Sequence, residues 1–181
     1  MQQTTRILNA QSFRQGIVFF LTCLLTGVAG CSAAAPTLQP VYIHMNGANM
    51  FLESVVAVRP GQAVVFVNED TGIHMVLGYN PLTGKANPQF SGTLLGTPGP
   101  SQPVHTYTIR FTHPGIYYYY CPVHAMLKLA PGGIHVPVKR PTVHGFGTPM
   151  AGLIIVTNEQ TLINDDPPSS HHKVLPGYFT G

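Results

Sequence analysis

The sequence predicts an all-β protein, a Greek-key sandwich or barrel of about seven to eight strands. Apolar runs of strand length follow one another at short intervals, and several alternate apolar with polar residues. Turn formers separate these runs, with Gly present 19 times and Pro 17 times in 181 residues, a balance that disfavours a helical bundle. No stretch carries the apolar stripe of an amphipathic helix.

In chain order, residues 41–45 (VYIHM) form the first predicted strand and 54–58 (SVVAV) the second. Arg59-Pro60-Gly61 is a turn into 62–67 (QAVVFV). Asn68-Glu69-Asp70-Thr71-Gly72 is a second turn, ahead of a strand over 73–79 (IHMVLGY). Residues 80–103 are rich in Pro, Gly, Asn and Ser and read as a surface loop. Residues 104–111 (VHTYTIRF) alternate with the period of a half-buried strand. His113-Pro114-Gly115 turns the chain into 116–120 (IYYYY), which runs straight into Cys121. Residues 125–149, broken by Pro131, Pro137, Pro141 and Pro149, read as a second long irregular stretch. Residues 153–157 (LIIVT) close the set, so one domain covers 41–157.

The ends carry a different signal. Arg6 and Arg14 are the only charges in residues 1–15, and 16–30 (GIVFFLTCLLTGVAG) have none. That run is short for a bilayer span and has the length of a signal-peptide core. Val28-Ala29-Gly30-Cys31 resembles a bacterial lipobox, which implies a leader over 1–30, cleavage before Cys31, acylation of Cys31 and a linker over 31–40. The expected location is the periplasm, at the outer face of the cytoplasmic membrane or the periplasmic face of the outer membrane. Residues 158–181, with His171-His172, read as a tail lying on the barrel or partly disordered. Removal of the leader takes Cys23 away, so Cys121 is the sole thiol and needs protection by burial or a metal. Charged residues are 8% of the chain, against about 25% in an average soluble domain. Without Arg6 and Arg14 the chain is close to neutral, which excludes a nucleic-acid footprint.

Three segments carry chemistry. Asn68-Glu69-Asp70-Thr71-Gly72-Ile73-His74 places a histidine just after a turn, at the start of a strand. Tyr120-Cys121-Pro122-Val123-His124 ends another strand in a Cys-x-x-His loop. Thr148-Pro149-Met150-Ala151-Gly152 puts a methionine at the mouth of the closing strand. Two imidazoles, one thiolate and a weak axial thioether suit a copper ion that changes oxidation state, whereas zinc more often takes several cysteines or a closed set of four.

In "PGQAVVFVNEDTGIHMV", "FTHPGIYYYYCPVH" and "MAGLIIV" the chain resembles the small blue-copper cupredoxins of the plastocyanin and pseudoazurin type, over roughly residues 41–157 and in family order. The resemblance implies His74, Cys121 and His124 as ligands of one copper ion, with Met150 in the axial place. It departs from the family where 25 residues separate His124 from Met150. Two ligand sets therefore stand: His124 binds and the insertion loops out, or His144 binds, six positions before Met150. The sequence around Cys121 favours His124. Met126 competes with Met150 for the axial place, and Gly152 with the apolar strand after it favours Met150. His44, His105, His113 and His135 read as structural or exposed.

The function this implies is single-electron transfer rather than catalysis, with c-type cytochromes or a terminal oxidase as partners by family analogy. Pro122, Val123, Ala125, Met126, Leu127 and Leu129 would supply an apolar docking patch. The alternative is copper binding and delivery by the His- and Met-containing stretch 125–149. Copper enzymes are disfavoured: Tyr120, not His, precedes Cys121, and position 125 is Ala where a binuclear site needs a second cysteine.

Overall fold

The structure is a computed structural model that describes residues 38–47, 49–99, 102–143 and 148–165. The predicted leader, Cys31, His144 and the His171-His172 pair lie outside the described residues. In chain order the elements are β1 (Val41–Met45), β2 (Val55–Val58), β3 (Ala63–Asn68), β4 (His74–Tyr79), β5 (Ala86–Leu94), β6 (His105–Arg110), β7 (Gly115–Tyr120), β8 (Ala125–Leu129), β9 (His135–Lys139), β10 (Ala151–Val156) and α1 (Gln160–Asp165). Among the described residues no helix is long and apolar enough to cross a membrane.

Two sheets carry the fold, one ordered β1-β3-β6 and the other β2-β10-β7-β4-β5. The β1/β3 and β2/β10 pairs are parallel; β7 runs antiparallel to both β10 and β4. Alternate residues point to opposite faces of a strand, so each sheet offers one apolar row. Ile43, Met45, Val64 and Phe66 from the first sheet meet Val56, Val58, Val76, Tyr119, Ile154 and Val156 from the second in one buried core. Tyr119 lies at its centre, with its ring edge-on to Phe66 at 5.2 Å and to Phe51 at 4.9 Å. The tyrosine run therefore splits as the pleat requires: Tyr119 is buried while Tyr118 and Tyr120 are only partly covered.

The all-β expectation holds, and the structure adds strands to the predicted set. Residues 80–103, expected as a loop, contain β5, an edge strand against β4 with a register shift at Leu77/Gly78. Its burial pattern leaves only Phe90 and Leu94 inside, which hides it from an alternation test, and an edge position tolerates its Pro88. Residues 125–149, expected as irregular, contain β8 and β9, a separate antiparallel hairpin with Pro137 opposite Leu127. The tail begins with α1, where the Arg59 guanidinium donates to the Gln160 side-chain oxygen.

His44, expected as structural, closes a loop. Its backbone N–H donates to Glu53 Oε2 at 2.7 Å and its Nδ1 lies 3.1 Å from Glu53 Oε1. The bond to Glu53 lifts His44 above its ordinary value of 6.5 against the opposing effect of burial, and Glu69 adds to the rise. Burial pushes Glu53 up, but the bonds from His44 overcome it and hold the carboxyl below 4.5. The raised histidine contributes stability that is complete below pH 6.5 and fades as pH rises through its folded value. The lowered carboxylate contributes above pH 4.5 and fades as pH falls through its folded value. Urea unfolding of the metal-free protein should thus show the pair contributing most between these limits. His44→Gln should remove roughly 1.5–3 kcal/mol there and less at pH 9. An equal loss at both pH values would contradict the pairing.

Candidate metal centre

The site is assembled at one end of the second sheet, where β4 starts, β7 ends and β10 starts. Buried Asn68, the last residue of β3, shapes the turn that delivers His74. Its Nδ2 donates to the carbonyls of Gly72 (2.9 Å), Leu94 (3.2 Å) and Leu95 (2.9 Å), and its Oδ1 accepts from the Asp70 N–H at 3.0 Å. Thr97 braces the same turn, its N–H donating to the Asp70 carbonyl at 2.7 Å and its hydroxyl to the Asn68 carbonyl at 2.9 Å. The chain passes so close at Gly96 that a side chain there would run into the Thr71 carbonyl.

This turn holds Asp70 beneath His74. Nε2 of the imidazole lies 2.8 Å from Asp70 Oδ2, and the carboxylate also accepts the Thr71 N–H at 2.6 Å. Burial raises Asp70, yet the His74 bond and the Gly72 and Thr71 amides outweigh it and keep the carboxyl below the usual range. An ionised carboxylate there assigns the His74 proton to Nε2. Nδ1 is left with a lone pair, and it is buried with no hydrogen-bond partner. An orphaned buried acceptor is costly unless something binds it, and a carboxylate behind an imidazole is a common support for a metal ligand.

A thiol lies in the same cluster. Cys121 follows β7 and is fully buried. Its N–H donates to the Met150 carbonyl at 2.9 Å, and the Met75 N–H donates to its Sγ at 3.3 Å. Its carbonyl accepts the N–H groups of His124 (3.0 Å) and Ala125 (2.8 Å), a tight turn that folds His124 back over the sulfur. The Sγ lies 3.3 Å from His124 Nδ1, and the two imidazole rings are 4.7 Å apart between centroids. One ligand atom each from His74, Cys121 and His124 lies within 4.8 Å of the others. Burial raises the Cys121 thiol, opposed by the Met75 amide and more weakly by the Arg140 charge. Burial, and then His74, hold His124 below its ordinary value, so at neutral pH its imidazole is uncharged and able to ligate.

Two imidazole nitrogens and a thiol that releases its proton to solvent as a metal binds fit one copper ion. His74 and Cys121 are sealed from solvent while His124 is partly exposed, so the set has one open edge. Met150 is 1% exposed and joined to Cys121 through the backbone, immediately before β10. Met126 lies on β8 opposite Val138 in the hairpin. His105 and His113 are exposed, and His135 packs its ring against Gly84. Asp70 and Asn68 escape the sequence reading, where they serve only as turn formers; the available signal is an acidic residue four positions before the histidine.

No protein-family model matches the sequence. No curated protein matches it either. Among solved structures, the chain is similar to a purple cupredoxin from Nitrosopumilus maritimus, with 18% identity over 65% of this chain and 99% of that one and a TM-score of 0.43. Amicyanin from Paracoccus versutus aligns at 20% identity over 68% of this chain and 85% of its own, with a TM-score of 0.41. A copper-containing nitrite reductase from Thermus scotoductus aligns at 24% identity over 70% of this chain but only 24% of its own, also at 0.41.

Proposed function

We propose that this chain is a cupredoxin: a single-copper electron carrier, exported and lipid-anchored at Cys31, that passes electrons between redox proteins such as c-type cytochromes and a terminal oxidase at a membrane surface facing the periplasm. The observation that carries this reading is the buried, unpartnered Nδ1 of His74 on a residue clustered with a buried thiol and a second imidazole. Bound copper would supply the one-electron change. The chain's own residues supply the rest. Asp70 fixes the tautomer and aim of His74, and sheet packing excludes water from Cys121. Three ligands come from strand ends or a bonded turn, so their geometry varies little between oxidation states. His124, the ligand at the open edge, is the exit point for the electron. The docking patch is narrower than its sequence suggests: Ala125 is buried, while Val123 and Leu129 are 40% and 66% exposed. Burial of His74 and Cys121 favours a carrier over a delivery protein, whose ion must be reachable by an acceptor.

Visible and paramagnetic-resonance spectra of the oxidised copper form test the ligand set. His124→Ala should remove the thiolate-to-copper band and His144→Ala should leave it. Met150→Leu should keep the band and shift its energy, since the axial contact tunes colour and potential. The reverse pattern for the two histidines would replace His124 by His144.

A further inference from the structure

We infer that Arg140 positions the 121–124 ligand loop, and that the β8–β9 hairpin is a brace fixed at both ends rather than a passive insertion. The inference rests on the copper reading of that loop. His124 is the ligand that needs such help. His74 stands on a strand with a carboxylate behind it, and Cys121 is sealed in the core. His124 sits in a turn at the open edge, where its ring lies beside Cys121 and His74.

Arg140 follows β9 directly. Its backbone N–H donates to the His124 carbonyl at 3.0 Å, and its Nε–H donates to the Pro122 carbonyl at 2.8 Å. The carbonyls on either side of Val123 are thus held by one residue. The Cys121 carbonyl is taken by the His124 and Ala125 amides, so the loop has little backbone left to rearrange. A guanidinium suits this task because its N–H groups point in fixed, planar directions.

The far end of the hairpin is fixed as well. At the tip, the Ala130 N–H donates to the Ile134 carbonyl at 2.7 Å and the Gly133 N–H to the Ala130 carbonyl at 3.1 Å. The His135 N–H donates to the Pro81 carbonyl at 2.6 Å, in the turn between β4 and β5. Its ring lies over Gly84, where φ is +67° and a Cβ would stand 2.6 Å from the ring. The strand pairs from Ala125↔Lys139 to Leu129↔His135 connect the two anchors. A push on the ligand loop is therefore carried through the hairpin to the β4–β5 turn.

Hydrogen exchange on the metal-free protein reads this without copper. In Arg140→Met the His124 and Ala125 amides should exchange about tenfold faster, the equivalent of one lost hydrogen bond. Arg140→Lys should behave like Arg140→Met, because an ammonium keeps the charge but not the Nε–H direction. Lys128→Met, on the same hairpin and exposed, should match wild type. In the copper-loaded form both Arg140 variants should broaden or shift the paramagnetic-resonance signal, and Lys128→Met should not. Wild-type exchange in Arg140→Met would overturn the assignment; so would wild-type behaviour in Arg140→Lys, or an equal effect from Lys128→Met. If Arg140→Met fails to fold, Arg140→Lys and Lys128→Met decide. A wild-type protein that takes up no redox-active copper would sink the functional reading but leave the exchange result to judge the brace.

Discussion

Replacing Cys121 by Ser should abolish the visible thiolate-to-copper absorption altogether, where Met150→Leu should only move it. A serine hydroxyl is close in shape but does not ionise in this range, and its oxygen is a hard donor poorly matched to the reduced metal. Burial already works against the thiolate, so copper must displace a proton from Cys121 as it binds. Apparent copper affinity should therefore rise with pH below the thiol's raised value in the wild type. That slope should shrink in Cys121→Ser, in step with the lost band. The fold itself should survive: the sulfur accepts from the Met75 amide, with the His124 and Val123 amides beside it, and a serine oxygen can take the same donors. Titration with copper at several pH values, followed by absorbance, checks this. A Cys121→Ser protein that keeps an intense band would remove the sulfur from the centre.

Tyr119→Ala should be the most damaging single change to stability, costing roughly 3–5 kcal/mol. The ring is fully buried and packs on Phe51 and Phe66, with Phe90 at 5.8 Å, so its removal leaves a cavity that rigid neighbours cannot fill. Tyr119→Phe should cost under ~1 kcal/mol, because the hydroxyl's bond to the Glu53 carbonyl is long at 3.5 Å. Urea unfolding of the metal-free variants measures both. A loss below about 1 kcal/mol in Tyr119→Ala would mean that the core is not centred on this ring.

The core strands were legible because their side chains alternate across a half-buried sheet. The run at 117–120 announced its own pleat, and its inward member is the one found at the centre. The clustering of His74, Cys121 and His124 was legible from their order and their turn residues. His124 lies 3.3 Å from the sulfur, while His144, its rival in the sequence, lies outside the described residues. What escaped was long-range. β5 is a polar edge strand whose pairing with β4 gives no periodic signal. β8 and β9 stabilise each other across a proline-containing ladder, so neither looks like a strand alone. Asp70 and Arg140 owe their roles to partners fixed only after the turns around them have formed.

Register between β7 and β10 has an evolutionary corollary. Tyr120 stands opposite Ala151, so Cys121 and Met150 are neighbours across a ladder, whatever length of chain joins them. Lengthening that connection costs little, about 0.6 kcal/mol for each doubling of a flexible loop. Descent could trim or enlarge the hairpin and forfeit the hold on His124 without relocating the methionine. A single deletion inside β10 would instead turn its inward row to solvent. Tolerance to insertion and intolerance to slippage thus lie side by side in one connection, and diversification should be concentrated in the former.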